Sequence, residues 1–293
     1  MQADPIPFRK MNGLGNEFAV FDGRSGPIYL SAEAIRTLGQ PEAIGFDQMI
    51  TLERSKAGAD VFMRIHNRDG GEVDACGNAT RCVGWLLMGE NGRPNATIET
   101  NAGLLRAYES GRPETVTVDM GKPRFAWNQI PLAEEFHDTR AIELQIGPID
   151  DPILHTPSAV SMGNPHAIFW VDDVEAYDLV RFGPLLENHP IFPERANISL
   201  AHVTARDAIT VRTWERGVGL TQACGTAACA AAVAAMRKKL TDRKVTVTLP
   251  GGPLLVEWRD DDHVWMTGPV ETEFEGTIDP ETLAWTARGQ GAT

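Results

Sequence analysis

The pentapeptide Ala75-Cys76-Gly77-Asn78-Ala79 occurs a second time in this chain, as Ala223-Cys224-Gly225-Thr226-Ala227. The two cysteines stand 148 residues apart, the difference between 224 and 76. Glycine follows each cysteine, and each pentapeptide opens a run of helix-forming residues, so we expect a cysteine at the start of each of two helices. A repeat of this length within 293 residues indicates two related halves.

Two further pairs of segments share this offset of 148. Residues 15–21 match residues 163–169 at Gly, Asn, Ala and Phe, and residues 64–68 match residues 212–216 at both terminal arginines. Chance does not place three matches in one register. Glycine and proline in Gly121-Lys122-Pro123 interrupt the pattern. We therefore predict a first half over residues 1–121 and a second over 122–269, with residues 270–293 packing back on the first.

Each half contains short segments rich in β-branched residues, separated by Gly, Pro and Asn turns. The predicted strands span residues 18–22, 48–53, 61–66, 97–100, 104–108 and 115–119, and then 166–171, 198–204, 208–213, 245–249, 254–258 and 263–266. The alanine-rich run from Cys224 to Leu240 closes with Arg237-Lys238-Lys239 and is otherwise so apolar that we expect it to be buried nearly all round. We predict an α+β fold of two pseudo-symmetric domains, each a curved, mostly antiparallel sheet wrapped around a central helix that begins with Cys-Gly.

Bulk composition narrows the class of protein. A formal net charge of −13 without a basic patch argues against nucleic acid or an anionic membrane as a partner. The first ten residues, MQADPIPFRK, lack the apolar stretch of a secretory signal, and the longest apolar run, 223–236, is short for a membrane span. We therefore expect a cytoplasmic protein.

A cysteine at a helix start is chemically suited to proton transfer. The positive end of the helix dipole lowers the pKa of a thiol, and the unpaired N–H groups there bind carboxylates. Glycine after the cysteine lets a ligand approach that backbone. Two such sites facing one amino acid would let Cys76, as thiolate or thiol, exchange a proton with one face of a carbon and Cys224 with the other. No metal or organic cofactor is required.

The remaining two cysteines receive a structural interpretation. Cys82 and Cys229 lie inside the predicted helices, where a cysteine is ordinarily a small core residue. The spacings Cys-x5-Cys and Cys-x4-Cys do not match zinc knuckles, so we predict no metal site. Without an export signal, four cysteines are also unlike a disulfide framework.

At these motifs the sequence resembles the diaminopimelate epimerase family over nearly the whole chain. In the first half the resemblance rests on Met11–Phe18 (MNGLGNEF), Gly45–Gln48 (GFDQ) and Asp74–Cys82 (DACGNATRC). In the second half it rests on Ser161–His166 (SMGNPH), Pro193–Asn197 (PERAN), Trp214–Gly217 (WERG) and Thr221–Thr226 (TQACGT). Asn12 and Glu17 depart from the residues that many members carry, His and Asp respectively.

The resemblance implies a two-domain pseudo-symmetric fold, a homodimer, and a cofactor-independent two-cysteine epimerase that interconverts LL- and meso-diaminopimelate for lysine and peptidoglycan synthesis. By motif, Cys76 and Cys224 are the catalytic acid/base pair. His166 and Glu215 match residues thought to tune the thiols. The resemblance also implies a set of substrate-binding residues: Asn16, Gln48, Asn67, Gly77, Asn78, Asn164, Asn197, Glu215, Arg216, Gly225 and Thr226.

Two alternatives stay open at this point. A racemase or epimerase of another amino acid, such as proline or hydroxyproline, would use the same thiol pair. Neutral asparagines with Arg216 suit a substrate with a second zwitterionic end better than a compact ring. From another class, a non-catalytic amino-acid-binding thiol protein would present the same helix starts without turnover.

Overall fold

Residues 4–288 are described in the computed structural model. They form two compact units, one made of the chain up to Val118 together with the chain from Gly268 onward, the other of Asp119–Thr267. Part of the C-terminal segment predicted to pack back on the first half, residues 289–293, lies outside the described residues.

Within its described residues, 4–118 and 268–288, the first unit contains two helices and ten strands or parts of strands. The helices are α1 (Ala32–Leu38) and α2 (Gly77–Asn91). The strands are β1 (Ile6–Asn12), β2 (Glu17–Asp22), β3 (Gln48–Glu53), β4 (Val61–Asn67), β5 (Glu72–Val73), β6 (Asn95–Thr100), β7 (Gly103–Glu109), β8 (Thr115–Asp119), β19 (Glu271–Ile278) and β20 (Trp285–Arg288).

The sheet of the first unit has the order β20-β19-β1-β2-β3-β4-β6-β7, with the short β5 also paired to β4. The pairs β2–β3 and β4–β6 are parallel and the others in this order are antiparallel. Helix α1 begins after Ser31, whose hydroxyl accepts a hydrogen bond from the Ala34 N–H at 3.1 Å. Helix α2 contacts β6 and β7 and ends at Gly92, whose φ of 61° is the left-handed conformation that glycine adopts without strain.

The second unit contains two α-helices, a short 3-10 helix at Trp127–Gln129 and ten strands. The α-helices are α3 (Leu179–Glu187) and α4 (Gly225–Arg237). The strands are β9 (Gln145–Ile146), β10 (Leu154–His155), β11 (Ser158–Ser161), β12 (Pro165–Trp170), β13 (Asn197–Ala205), β14 (Ala208–Glu215), β15 (Gly219–Leu220), β16 (Lys244–Leu249), β17 (Gly252–Trp258) and β18 (Val264–Pro269).

The sheet of the second unit surrounds helix α4. Its order is β11-β12-β13-β14-β16-β17-β18, and α4 contacts β11, β12, β13, β14, β16 and β17. Nearly every α4 residue from Ala227 to Met236 is buried. Alanine has the highest helix propensity and the smallest side chain that a helix interior tolerates well, so this sequence allows strands to pack close on all sides.

The pairing pattern repeats between the units. From β1 to β7 and from β11 to β17, successive neighbours pair antiparallel, parallel, antiparallel, parallel and antiparallel. Each sheet carries a helix that begins directly after a cysteine. The predicted α+β fold of two pseudo-symmetric domains is therefore confirmed.

No helix within residues 4–288 has both the length and the apolar character that crossing a lipid bilayer requires.

Candidate active site

Cys76 is the N-cap residue of α2. Its backbone is extended, and its sulfur accepts a hydrogen bond from the Ala79 N–H at 3.5 Å. The Thr80 hydroxyl donates to the Cys76 carbonyl at 2.8 Å, which fixes the first turn. Gly77 and Asn78 follow at the first two helical positions, whose N–H groups precede the intrahelical hydrogen bonds. This helix start therefore presents a sulfur beside backbone donors suited to a carboxylate.

Asn16 holds the other side of the Cys76 sulfur. The thiol lies 3.8 Å from Asn16 Oδ1, as a donor. Asn16 Nδ2 in turn donates to Asp47 Oδ2 at 2.9 Å, and the same oxygen accepts from the Glu17 N–H at 2.9 Å. Asp47 thus orients the amide so that its oxygen faces the sulfur. We had assigned Asp47 no role, although it directly precedes Gln48 in a motif that carries the family resemblance.

Gln48 and Asn67 face each other across neighbouring strands. They are paired residues of β3 and β4, and Gln48 Nε2 donates to Asn67 Oδ1 at 2.9 Å. Gln48 Oε1 is buried and has no hydrogen-bond partner within the described residues. A buried amide oxygen of this kind is a suitable acceptor for a ligand ammonium.

A buried arginine, Arg81, holds the first turn of α2 through the Asn78 side chain. Arg81 is fully buried, and its Nη1 donates to Asn78 Oδ1 at 2.8 Å. Its Nε donates to the Pro269 carbonyl at 3.4 Å. The Asn78 side chain therefore has a structural partner, and its backbone N–H is the group suited to a ligand. Sequence reasoning missed Arg81 because a buried cation inside a helix has no sequence signature.

Cys224 is the N-cap residue of α4 and is buried. Burial, and next the negative charge of Glu215, raise the pKa of the Cys224 thiol well above its ordinary value of 9.0. The Thr226 hydroxyl lies 3.5 Å from the sulfur and acts in the opposite direction. Burial and the Glu215 charge therefore both favour the thiol form of Cys224 over the thiolate.

A chain of hydrogen bonds runs from His166 to this sulfur. His166 Nε2 is 2.9 Å from Asn164 Oδ1, which can only accept, so Nε2 carries the proton. Asn164 Nδ2 donates to Thr226 Oγ1 at 3.3 Å, which leaves the Thr226 proton to point at Cys224. Burial, together with the charge of Arg216, lowers the pKa of His166 to about 3. His166 is therefore a neutral imidazole that orients this chain.

Glu215 and Arg216 lie at the end of β14, where a turn begins. The Glu215 carbonyl accepts from the Val218 N–H at 3.1 Å, and the Thr221 hydroxyl donates to the Glu215 carboxylate. Arg216 lies just beyond the end of β14, because Gly217 follows it with a φ of 75° that ends the strand.

Asn197 fixes the Arg216 backbone. Its side-chain Oδ1 accepts from the Arg216 N–H at 2.9 Å, and its Nδ2 donates to the Pro165 carbonyl at 3.1 Å. The Arg216 guanidinium donates through Nη1 to the Glu194 carbonyl at 2.9 Å. Asn197 therefore positions Arg216, and both of its polar atoms are occupied by protein groups.

The sequence-predicted residues fall into two groups, one in each unit. The first unit brings Cys76 together with Asn16, pairs Gln48 with Asn67, and places Gly77 and Asn78 at the helix start. The second brings together Cys224, Gly225, Thr226, Asn164, His166, Asn197, Glu215 and Arg216.

Solved structures share this fold at low sequence identity. A PhzF-family phenazine biosynthesis protein from Bacillus anthracis matches with a TM-score of 0.65 and 17% identity, over 94% of this chain and 99% of that one. A hydroxyproline epimerase from Agrobacterium vitis, solved with trans-4-hydroxy-L-proline, matches with a TM-score of 0.64 and 15% identity, over 98% and 94%. These matches define the class by fold: proteins built of two α+β units, and in this chain each unit has a helix that begins directly after a cysteine.

Sequence comparison narrows this class to one family. The diaminopimelate epimerase family profile matches residues 8–126 and 158–273. A diaminopimelate epimerase of Afipia carboxidovorans is 60% identical over 279 residues, covering 94% of this chain and 96% of the relative. That of Brucella anthropi is 59% identical over 290 residues, covering 98% and 96%. The chain belongs to the diaminopimelate epimerase family, a family of isomerases.

Proposed function

We propose that this chain interconverts LL-2,6-diaminopimelate and meso-2,6-diaminopimelate, with Cys76 and Cys224 as the two acid/base groups. One observation carries the proposal. In each unit of a duplicated fold, a cysteine caps the helix that the sheet packs against. The relatives that bear the name diaminopimelate epimerase cover nearly the whole chain and include both of these helices.

The proposed reaction removes a proton from one face of the α-carbon and returns a proton to the opposite face. One cysteine, as thiolate, removes the α-proton from one face of the carbon, and the other, as thiol, delivers a proton to the opposite face. The α-carbanion needs electrostatic stabilisation because an amino-acid α-proton is very weakly acidic. The N–H groups of Gly77, Asn78, Gly225 and Thr226 would supply it by binding the α-carboxylate at helix starts.

The other site residues would read the substrate. Gln48 offers an unpaired buried amide oxygen, which suits an ammonium group. Arg216 offers a guanidinium whose backbone Asn197 holds in place, which suits a carboxylate. Asn16 contacts the Cys76 thiol directly, and Asn164 reaches the Cys224 thiol through the Thr226 hydroxyl. We assign Asn67, Glu215 and His166 to the orientation of these groups.

The proposal includes the setting of the reaction. We propose that residues 1–121, with 270–293, and residues 122–269 are the two epimerase halves. The division into compact units supports this boundary to within a few residues. The substrate is a small molecule, we expect no metal or organic cofactor, and the family resemblance favours a cytoplasmic homodimer. Light scattering on the purified protein would measure the oligomeric state.

Turnover in deuterated water tests the two-cysteine scheme. We expect deuterium at the α-carbon of the product, because the proton delivered comes from a solvent-exchanged thiol. Cys76→Ala or Cys224→Ala should each lower kcat by about 10²–10⁴-fold, the usual contribution of one acid/base group. NMR of the reaction mixture would follow both deuterium incorporation and epimerisation.

Cys82→Ala is the matched control, since Cys82 lies on the same helix as Cys76 but in the core. It should keep activity within a few-fold. Full activity of either Cys76→Ala or Cys224→Ala would refute the scheme. Assays with proline and hydroxyproline would test the substrate, and a preference for either ring compound over diaminopimelate would overturn our assignment.

A further inference from the structure

Glu187, the last residue of α3, is a buried carboxylate that the proposed reaction does not use. It is 5% exposed. Its Oε2 accepts from Trp214 Nε1 at 2.7 Å, and its Oε1 accepts from the Gly217 N–H at 2.9 Å and from Arg195 Nη1 at 3.2 Å. One carboxylate therefore holds donors from two different segments of the second unit.

Two of these donors bracket the turn that carries Glu215 and Arg216. Trp214 precedes that pair and Gly217 follows it, so Glu187 holds the Trp214 indole on one side of the pair and the Gly217 backbone on the other. The third donor, Arg195, is adjacent in sequence to the residue that binds the Arg216 guanidinium. Arg195 adjoins Glu194, whose carbonyl accepts from the Arg216 guanidinium.

The internal repeat shows that the fold does not need this carboxylate. At the offset of 148, Glu187 corresponds to Gly39, Trp214 to His66 and Arg216 to Arg68. Helix α1 ends at Leu38, one residue before the position equivalent to the end of α3, and a side chain on Gly39 would meet Arg68 Cγ at 2.6 Å. The same helix end is therefore built without an acid in one unit and with one in the other.

We propose that Glu187 is a positioning residue that sets the placement of Glu215 and Arg216, and through Arg216 the recognition of the substrate's second amino-acid end. This inference rests on the proposed function for its substrate, but not for its structural part. The carboxylate acts by holding the Trp214–Gly217 turn.

Glu187→Gln tests the inference with little change in volume. An amide keeps one acceptor and replaces the other with a donor, which repels either Trp214 Nε1–H or the donors at Oε1. We expect the KM for diaminopimelate to rise about tenfold, equivalent to one lost buried hydrogen bond, with kcat changed less than about threefold. Glu187→Gln/Trp214→Phe removes the repelled indole donor and should recover part of the KM.

Limited trypsinolysis gives a readout independent of activity, because Arg216–Gly217 is itself a tryptic bond. Glu187→Gln should increase cleavage at this bond, as measured by mass spectrometry. Leu186→Ala is the matched control: Leu186 is a buried apolar neighbour on α3, so its truncation should lower the Tm while leaving both the KM and the cleavage at Arg216 unchanged.

Arg195→Gln guards against a folding failure of Glu187→Gln, since the Arg195 side chain is half exposed. Arg195→Gln should raise both the KM and the cleavage rate at Arg216, each by less than Glu187→Gln does. Unchanged KM and cleavage in Glu187→Gln, or equal effects in Leu186→Ala at a matched loss of Tm, would overturn the inference. Wild-type protein inactive on diaminopimelate would refute the proposed function instead, while the cleavage rates would still decide the positioning role.

Discussion

Glu215 and Cys224 are electrostatically coupled. Burial raises the pKa of the Cys224 thiol, and the Glu215 carboxylate raises it further because a thiolate beside a second negative charge is unfavourable. Glu215→Gln removes that charge and should move the ionisation of Cys224 to lower pH. The measurement is the ultraviolet absorbance of the thiolate, titrated in a Cys76→Ala background so that Cys224 is observed without the other catalytic cysteine.

Glu175→Gln offers the comparison, because this exposed carboxylate of the same unit pairs with Arg212 away from the sulfur. It should leave the Cys224 titration in place. If Glu215→Gln leaves the titration unchanged or moves it to higher pH, the Glu215 carboxylate does not act on Cys224 as inferred. Burial alone would then account for the raised pKa of the Cys224 thiol.

Because His166 is buried as a neutral imidazole, it makes the free energy of unfolding depend on pH in the acid range. Its pKa is about 3 in the folded protein against an ordinary 6.5, so between these values only the unfolded chain binds the proton. Stability from this group is full above pH 6.5 and falls as the pH drops towards 3, by about 1.4 kcal/mol per pH unit in the middle of the window.

His166→Gln keeps a neutral donor for Asn164 but cannot take up a proton. Urea denaturation between about pH 6 and pH 4 should therefore show a shallower loss of unfolding free energy than the wild type, by about 1.4 kcal/mol per pH unit. Equal slopes for His166→Gln and the wild type would show that the imidazole is protonated in the folded state.

At the scale of the element, the repeat predicted the two helices that matter most. Cys76 and Cys224 were placed at helix starts from the Cys-Gly pattern alone, and both are N-cap residues. The predicted end at Leu240 was too late, because Lys239 takes a φ of 59° and α4 stops at Arg237. Composition shows that a helix is possible, but the residue at which it stops depends on tertiary packing.

Helix α3 is one of the elements that sequence reasoning missed, together with strands such as β1 and β11. It contains Gly183 and Pro184, both poor helix formers, so its sequence resembles a loop. The structure gives a reason for the glycine, since a Cβ there would lie 2.5 Å from the Trp214 ring. The contact that requires glycine lies 31 residues away in sequence, and no local pattern reveals it. Glu187 was missed for the same reason.

The polar residues of the site also divide into those that the sequence revealed and those that it did not. Asn16 and Asn164 could be named from the sequence because they lie in motifs that resemble the diaminopimelate epimerase family. Asp47 and Arg81 could not, because each acts on another side chain rather than through a repeated pattern. Motif matching finds residues that contact a sulfur or a ligand more readily than those that hold them.

For the whole molecule, the proposed mechanism has a redox consequence. Two thiols that act on one carbon must approach the same small volume, so an oxidant should join them. Diamide would take two electrons and two protons from Cys76 and Cys224, leaving a disulfide and reduced diamide. We expect loss of activity, recovery with dithiothreitol, protection by substrate, and a linked Cys76–Cys224 peptide by mass spectrometry.

Burial raises the pKa of Cys82 to about 12, so that thiol should react slowly, and a Cys82→Ala/Cys229→Ala variant should be inactivated like the wild type. A protein that stays active under diamide, or a disulfide linking Cys76 to Cys82, would mean that the two catalytic sulfurs do not share a site, and the two-cysteine mechanism would fail with it.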